Sequence, residues 1–138
     1  MSYWLLKTEP ESYSYSDLEK EGRAVWDGVS NNWALKHLRE MKPGDKAIVY
    51  HTGKEKALAG IAEIVSEPYP DPVLNDQKYT VVDVVPLCKI SGRLTLKKIK
   101  EDPFFTDFML VKFTRLSVMP VEDRIWQRIL SMEGLESI

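Results

Sequence analysis

Short runs of apolar and β-branched residues alternate with turn signals along the whole chain. The aromatic and aliphatic run at 3–8 predicts a first strand, and Glu9-Pro10 ends it because proline lacks a backbone donor. Similar runs predict five further strands at 23–27, 46–52, 57–67, 78–88 and 116–119. Pro86 is expected to interrupt the run at 78–88. Three prolines within 68–72 predict a loop, since proline cannot complete a hydrogen-bonded ladder.

Helical patterns lie between these strands. Ser16-Asp17-Leu18-Glu19 has the spacing of a capping box, which predicts a short helix that stops at Gly22. A second helix is predicted from about Asn31, because apolar residues then recur every three or four positions. Lys42-Pro43-Gly44-Asp45 ends this helix and leads into the next strand.

A closing helix is predicted at 121–132. Its apolar face carries four large side chains: Ile125, Trp126, Ile129 and Leu130. Because helices are inserted irregularly instead of following every strand, the pattern opposes a parallel βαβ sheet. It predicts one α+β domain over 1–138, a small, mostly antiparallel β-barrel with inserted and flanking helices. Such a barrel closes its edges and holds ligands at its mouth.

Composition narrows the class of protein. Of the 138 residues 43% are hydrophobic, and no apolar run approaches the roughly 20 residues of a membrane span. The N-terminus lacks the features of a signal peptide, so we expect a cytoplasmic protein without a membrane partner. The single Cys88 excludes an intrachain disulfide and predicts a buried, inert thiol. His37 and His51 stand apart from any cysteine, so no metal site and no cofactor are predicted.

The charge balance is slightly acidic. The net charge is −2 and the pI is about 5.7, which opposes indiscriminate binding to nucleic acid. Basic residues nevertheless cluster at 89–100, in a stretch without an acid: Lys89, Arg93, Lys97, Lys98 and Lys100. A second basic set comprises Lys36, Arg39, Lys42 and Lys46. Each set is either a solvated face or a phosphate-binding patch.

The segment 25–34 contains the closest grouping of candidate ligand-binding residues. Trp26 offers an aromatic face, Gly28 a tight turn, and Asn31 a side chain that can recognise hydrogen-bonding edges, which together suit a flat polar ligand. The alternative is that Trp26 belongs to the core and Asp27-Gly28 is only a turn. Similarly, His51 is either a donor into a pocket or a structural histidine.

The sequence contains no convincing catalytic constellation. Lys7-Thr8-Glu9 has the residue types for a base, a nucleophile and an orienting acid. However, consecutive side chains of a strand point to alternating faces and cannot converge by themselves. GxSxG, P-loop and GxGxxG motifs are also lacking. We therefore predict that the protein is not an enzyme.

Several motifs together resemble EVE-domain proteins of the PUA-like superfamily. The first is Tyr3-Trp4-Leu5-Leu6-Lys7-Thr8-Glu9-Pro10 and the second is Val25-Trp26-Asp27-Gly28-Val29. Further matches lie at 41–45, 50–51, 60–63, 69–72, 82–84 and 115–121, so the resemblance covers essentially the whole chain. It implies a PUA-like β-barrel with a pocket for a modified nucleobase, a cytosine derivative above all, in DNA or RNA. The implied recognition combines aromatic stacking with edge hydrogen bonds.

The resemblance also implies a set of ligand-binding residues. They are Lys7, Trp26, Gly28, Val29, Ser30, Asn31, Tyr50, His51, Ser117, Val118 and Met119. This chain departs from the family at four positions. It has Ser30 where family members usually have Arg, Asn32 for Tyr, Leu35 for Arg and Lys36 for Asn. The contacts of those arginines are lost, so ligand preference is expected to differ.

Two other functions are compatible with these residues. Some PUA-like relatives, the ASCH proteins, are similar to small hydrolases that use Lys, Thr and Glu. A comparable enzyme would act on a nucleoside or RNA substrate, and would need a base within hydrogen-bond reach of its nucleophile. A module that binds a protein partner would instead require an exposed apolar patch.

Overall fold

The computed structural model describes residues 1–135. The strands in this range are β1 Tyr3–Thr8, β2 Ala24–Trp26, β3 Lys46–His51, β4 Ala57–Ile64, β5 Tyr69–Asp71, β6 Asp76–Lys89 and β7 Val118–Val121. The helices are α1 Tyr15–Glu21, α2 Asn32–Glu40, α3 Leu96–Glu101, α4 Met109–Lys112 and α5 Asp123–Met132, with a 3₁₀ turn at Pro103–Phe105.

The strands form one mixed sheet in the order β2-β6-β4-β3-β1-β7, and β5 pairs with β6. Every neighbouring pair is antiparallel except β1–β3. This confirms the predicted α+β, mostly antiparallel architecture. In the described part of the chain β2 and β7, at the two ends of the order, do not pair with each other. The sheet is therefore a curled half-barrel, and the expectation of a closed barrel was wrong.

A buried carboxylate anchors the parallel pair. Asp45 is 5% exposed and accepts hydrogen bonds from the Ser2 amide, the Trp4 indole Nε1 and the Lys42 amide, each at 3.0 Å. A buried charge of this kind is stable only when its oxygens are hydrogen-bonded. Because these donors come from the start of β1 and from the turn after α2, Asp45 sets Tyr3 opposite Lys46.

Tyr15 attaches α1 to the sheet. Its hydroxyl donates to the Ile61 carbonyl oxygen at 2.7 Å and accepts from the Cys88 amide at 3.1 Å. The ring lies against Gly60, where a Cβ atom would stand only 2.3 Å from it. Glycine is therefore required at this position by close approach. The contact holds α1 against β4 and β6.

Two predictions about proline were wrong. The segment predicted as a loop contains β5, in which Tyr69 pairs with Val81 and Pro70 with Thr80. A strand with only one partner tolerates proline, because the missing donor does not break a second ladder. Likewise, β6 continues through Pro86, where the register with β4 shifts.

Two local predictions also need correction. The capping box of α1 is formed by Ser14 and Asp17, not by Ser16: the Ser14 hydroxyl accepts from the Asp17 amide at 3.1 Å, and the Asp17 carboxylate accepts from the Ser14 amide at 2.9 Å. Cys88 is half-buried and not a core thiol, since it lies near the end of β6.

The closing helix is confirmed, with α5 at Asp123–Met132. Its four predicted apolar side chains are buried, and Trp126 is only 1% exposed. The Trp126 indole stacks on the Tyr3 ring of β1, with centroids 4.3 Å apart and planes inclined by 12°. The helix therefore contributes to the main core.

Truncating Trp126 should destabilise the whole domain. We expect Trp126→Ala to lower the free energy of unfolding by roughly 3–5 kcal/mol, because it removes a large buried aromatic and leaves a cavity. Met132→Ala, on the exposed side of the same helix, should change it by less than about 0.5 kcal/mol. Urea denaturation measures both. A loss below about 1 kcal/mol for Trp126→Ala would mean that α5 is peripheral.

Candidate functional site

A cavity of about 720 Å³ lies where the half-barrel is open. One side is formed by β2 and the turn that follows it, and the other by the end of β1 and by Ser117, just before β7. The segment preceding α1 and the end of α1 complete the lining. This volume lies within the usual range for small-molecule sites. Five predicted ligand-binding residues line it: Lys7, Trp26, Gly28, Val29 and Ser117.

Trp26 serves both the core and the cavity. Its side chain is 6% exposed and belongs to the hydrophobic core, yet it borders the cavity. The Tyr13 ring meets it edge-on, with centroids 6.2 Å apart and planes at 80°. Tyr13 also donates its hydroxyl to Glu21 Oε1, and burial together with this carboxylate raises the pKa of Tyr13. The two rings form a rigid aromatic wall.

Lys7 brings a cation to the same cavity. Its Nζ donates to the Thr114 carbonyl oxygen at 3.0 Å and lies 5.8 Å from the centroid of the Tyr50 ring. Burial lowers the pKa of the Lys7 ammonium group. An ammonium has three protons, so donors remain for a ligand. The Lys7 amide also donates to the Ser117 carbonyl oxygen at 2.9 Å, which fixes Ser117 at the wall.

The turn after β2 depends on glycine. Gly28 has a φ of 79°, a conformation that other residues rarely adopt, although open space surrounds the position of a Cβ. Ser30 lies outside the main cavity and lines a smaller recess of about 250 Å³, which Gly28 and Val29 border as well. Asn31 caps α2, because its Oδ1 accepts from the Trp33 and Ala34 amides at 2.9 and 3.1 Å. Its side-chain NH₂ donors are not used in the cap.

The other four predicted residues do not line the cavity. His51 is 7% exposed and both ring nitrogens have partners: Nε2 accepts from the Tyr15 amide at 3.0 Å, and Nδ1 lies 2.6 Å from Glu55 Oε2. This is the geometry of a structural histidine. Tyr50, Val118 and Met119 are buried in the core.

Sequence reasoning missed four polar residues of the cavity: Ser12, Tyr13, Glu21 and Arg23. The Arg23 guanidinium donates through Nε and Nη2 to Asp83 Oδ2, at 3.2 and 2.8 Å. Tyr69 donates to the other carboxylate oxygen of Asp83 at 2.5 Å, and these donors lower the pKa of Asp83. Glu21 and Arg23 flank the predicted stop at Gly22, so their nearness to Trp26 in sequence was a usable signal. Tyr13 had none.

The side chains of Lys7, Thr8 and Glu9 do not converge on one another. The Thr8 hydroxyl donates to the Tyr13 carbonyl oxygen at 2.6 Å, whereas Glu9 Oε2 accepts from the Thr52 hydroxyl at 3.2 Å. Lys7 donates to Thr114, as described above. A nucleophile needs a base within hydrogen-bond reach, and this triplet does not supply one. The arrangement thus opposes a hydrolase built on these residues.

Residues 1–135 contain neither a metal-binding cluster nor a membrane-spanning helix. Within this range, the acidic, histidine and cysteine side chains do not form a group of three or more that could hold a metal ion. Over the same range, the helices are all too short or too polar to cross a membrane.

Comparisons with known proteins agree with this fold. Human thymocyte nuclear protein 1 is 31% identical over an alignment of 170 positions, gaps included, which covers 98% of this chain and 75% of that protein. A crystal structure from Agrobacterium tumefaciens superimposes with a TM-score of 0.93 at 33% identity, covering 98% of this chain and 94% of the other. The crystal structure of human THYN1 in complex with 5-methylcytosine-containing DNA gives a TM-score of 0.85 at 30% identity. The superposition covers 99% of this chain and 100% of the THYN1 chain.

The family model described as the EVE domain matches residues 2–132. The match includes every strand and helix described above, together with the Trp26 turn and the cavity it borders. The resemblance that rested on the N-terminal and Trp26 motifs is confirmed, and this chain belongs to the EVE domain family.

Proposed function

We propose that this protein binds nucleic acid and accepts a modified base, with a modified cytosine as the first choice, in the cavity beside Trp26. The observation that carries the proposal is the cavity itself. It combines the Trp26–Tyr13 wall with the half-buried ammonium group of Lys7 and with the exposed carboxylates of Glu21 and Asp27. The complex of human THYN1, a relative with 30% identity, with 5-methylcytosine-containing DNA supports the choice of base.

The polar groups of the cavity match the edge of cytosine. Cytosine carries an exocyclic amino donor next to ring acceptors. The Lys7 ammonium would donate to the acceptors, while the Glu21 or Asp27 carboxylate would accept from the amino group. The Trp26–Tyr13 wall would contact the apolar face of the base and an added methyl group. Recognition therefore requires no catalytic group.

A base held in this cavity must leave its stack. In a duplex the extrusion costs a few kcal/mol, and the cost is lower in single strands. The net charge of −2 provides little general attraction to phosphates, so recognition of a single base suits this protein better than a grip on long duplexes.

The direct test compares duplexes that differ only in methylation. We expect tighter binding to DNA that contains one 5-methylcytosine than to the same duplex with cytosine, measured by fluorescence anisotropy. A parallel screen of modified nucleosides, free and within RNA, identifies the preferred base. The proposal would be contradicted if the protein bound modified and unmodified bases with equal affinity, both in the duplexes and in the nucleoside and RNA screen.

Trp26 should be needed for this binding. Stacking on an aromatic side chain contributes on the order of 1–3 kcal/mol per base, so Trp26→Ala should weaken binding to the best duplex by roughly tenfold or more. Because Trp26 is also a core residue, part of any loss can come from unfolding.

Trp126→Ala is the matched control, since it removes another buried indole that does not line the cavity. Both variants are titrated at a temperature at which circular dichroism finds them folded. Trp126→Ala should bind like the wild type under these conditions. If folded Trp26→Ala does so too, the base is bound elsewhere.

Asn31 offers a separate test of edge recognition. Asn31→Asp keeps the helix cap, because aspartate is as good a capping residue as asparagine, but it removes the NH₂ donors. If those donors contact the base, Asn31→Asp should reduce the affinity ratio between modified and unmodified DNA while stability stays unchanged. Asn31→Ala loses the cap as well and should cost about 1 kcal/mol of stability. An unchanged ratio in Asn31→Asp would limit Asn31 to capping.

A further inference from the structure

A second concave surface lies at the start of α3, next to the hairpin that joins β3 to β4. We call it the basic depression. It has a volume of about 570 Å³, and its charged residues are Lys54, Lys56, Lys97 and Lys100 with Glu55 and Glu101. Two of these lysines come from the hairpin, more than 40 residues before Lys97 and Lys100 of the 89–100 basic set. The sequence patterns did not associate the two groups.

Backbone hydrogen bonds hold the two sides of the depression together. The Leu96 amide donates to the Lys56 carbonyl oxygen at 2.7 Å, and the Leu58 amide donates to the Leu94 carbonyl oxygen at 3.0 Å. Ile99, on the inner face of α3, is completely buried. The backbone that carries the four lysines is therefore rigid, although their side chains extend into solvent.

The charges of the depression are unbalanced. Its four lysines are exposed, and within residues 1–135 none of their ammonium groups lies within 4.0 Å of a carboxylate. Of the two acids, Glu55 is already engaged by the His51 ring at 2.6 Å. The protein as a whole has a net charge of −2, so this surface concentrates positive charge on an otherwise acidic molecule. A concave surface of one sign raises the local concentration of ligands of the opposite sign.

The depression is connected to the cavity beside Trp26 through Thr52, the residue that follows β3. Thr8 lines the cavity, and its carbonyl oxygen accepts from the Thr52 amide at 2.9 Å. Lys54 follows Thr52 by two residues, which places the Cα atoms of Thr52 and Lys54 within about 7–8 Å of each other. A nucleic-acid strand with one base in the cavity can therefore reach the hairpin lysines with a neighbouring part of its backbone.

We propose that the basic depression binds the phosphates of the nucleic-acid strand that flank the base held beside Trp26. The inference rests on the proposed function. The depression supplies salt-dependent affinity that is indifferent to sequence, while the cavity supplies the choice of base. Lys54 and Lys56 act together with Lys97 and Lys100 in this role.

The test removes the two hairpin charges. We compare Lys54→Gln/Lys56→Gln with the wild type on a duplex that contains one 5-methylcytosine, at several salt concentrations. Each lost phosphate contact should flatten the slope of log K against log salt by about 0.9, so the double variant should lose about 1.8. Its binding of free 5-methyl-2′-deoxycytidine should not change. A wild-type slope in the double variant would overturn the proposal.

Two controls separate position from total charge. Lys36→Gln/Lys42→Gln removes the same charge from exposed residues outside the depression and should keep the wild-type slope. On α3, Lys97→Gln should flatten the slope whereas its neighbour Lys98→Gln, which does not line the depression, should not. Equal changes in all these variants would indicate general screening and overturn the proposal.

Failure of the proposed function would look different. If the wild type bound methylated and unmethylated duplexes equally, and the hairpin variant still lost slope on both, the base-reading function would fail while the basic depression remained a phosphate site. If poly-glutamate bound with the same lysine dependence and DNA did not bind, the partner would be an acidic peptide, and the inference would be overturned.

Discussion

The parallel pairing of β1 with β3 is the constraint on which both candidate binding surfaces depend. Parallel strands end at the same edge of a sheet, so Lys7 and Thr8 of β1 lie beside the end of β3 and the hairpin that follows it. Asp45 holds this register at the opposite end through three hydrogen bonds. With an antiparallel arrangement the cavity and the lysine-bearing hairpin would lie at opposite ends.

The base cavity exists because the half-barrel does not close. Side chains that would meet in the centre of a closed barrel instead border an opening between β2 and the β1–β7 edge. Trp26 illustrates the consequence, since one ring stabilises the core and also forms the cavity wall. Its orientation is fixed by packing before any ligand arrives, which reduces the entropy lost on binding.

The two candidate surfaces differ in how far solvent screens their charges. Lys7 is half-buried at the cavity, where electrostatic interactions are stronger than in water, whereas the Glu21 and Asp27 carboxylates are exposed. The four lysines of the basic depression are exposed, where attraction to phosphates is weaker and depends on salt. The proposed choice of base and the proposed attraction to phosphates therefore rest on charges that solvent screens to different extents.

Local physical chemistry made several features predictable from the sequence. The start of α2 near Asn31, the turn at 42–45 and the apolar face of α5 depend on residues close together in the chain, and the family motifs extended these local signals to the whole fold. In contrast, β5 forms only because β6 offers it an edge, and His51 is structural only because α1 packs against it. Arg23 and the hairpin lysines became site residues through contacts across the folded chain. Such roles depend on strand order and register, and these are decided by packing among residues tens of positions apart.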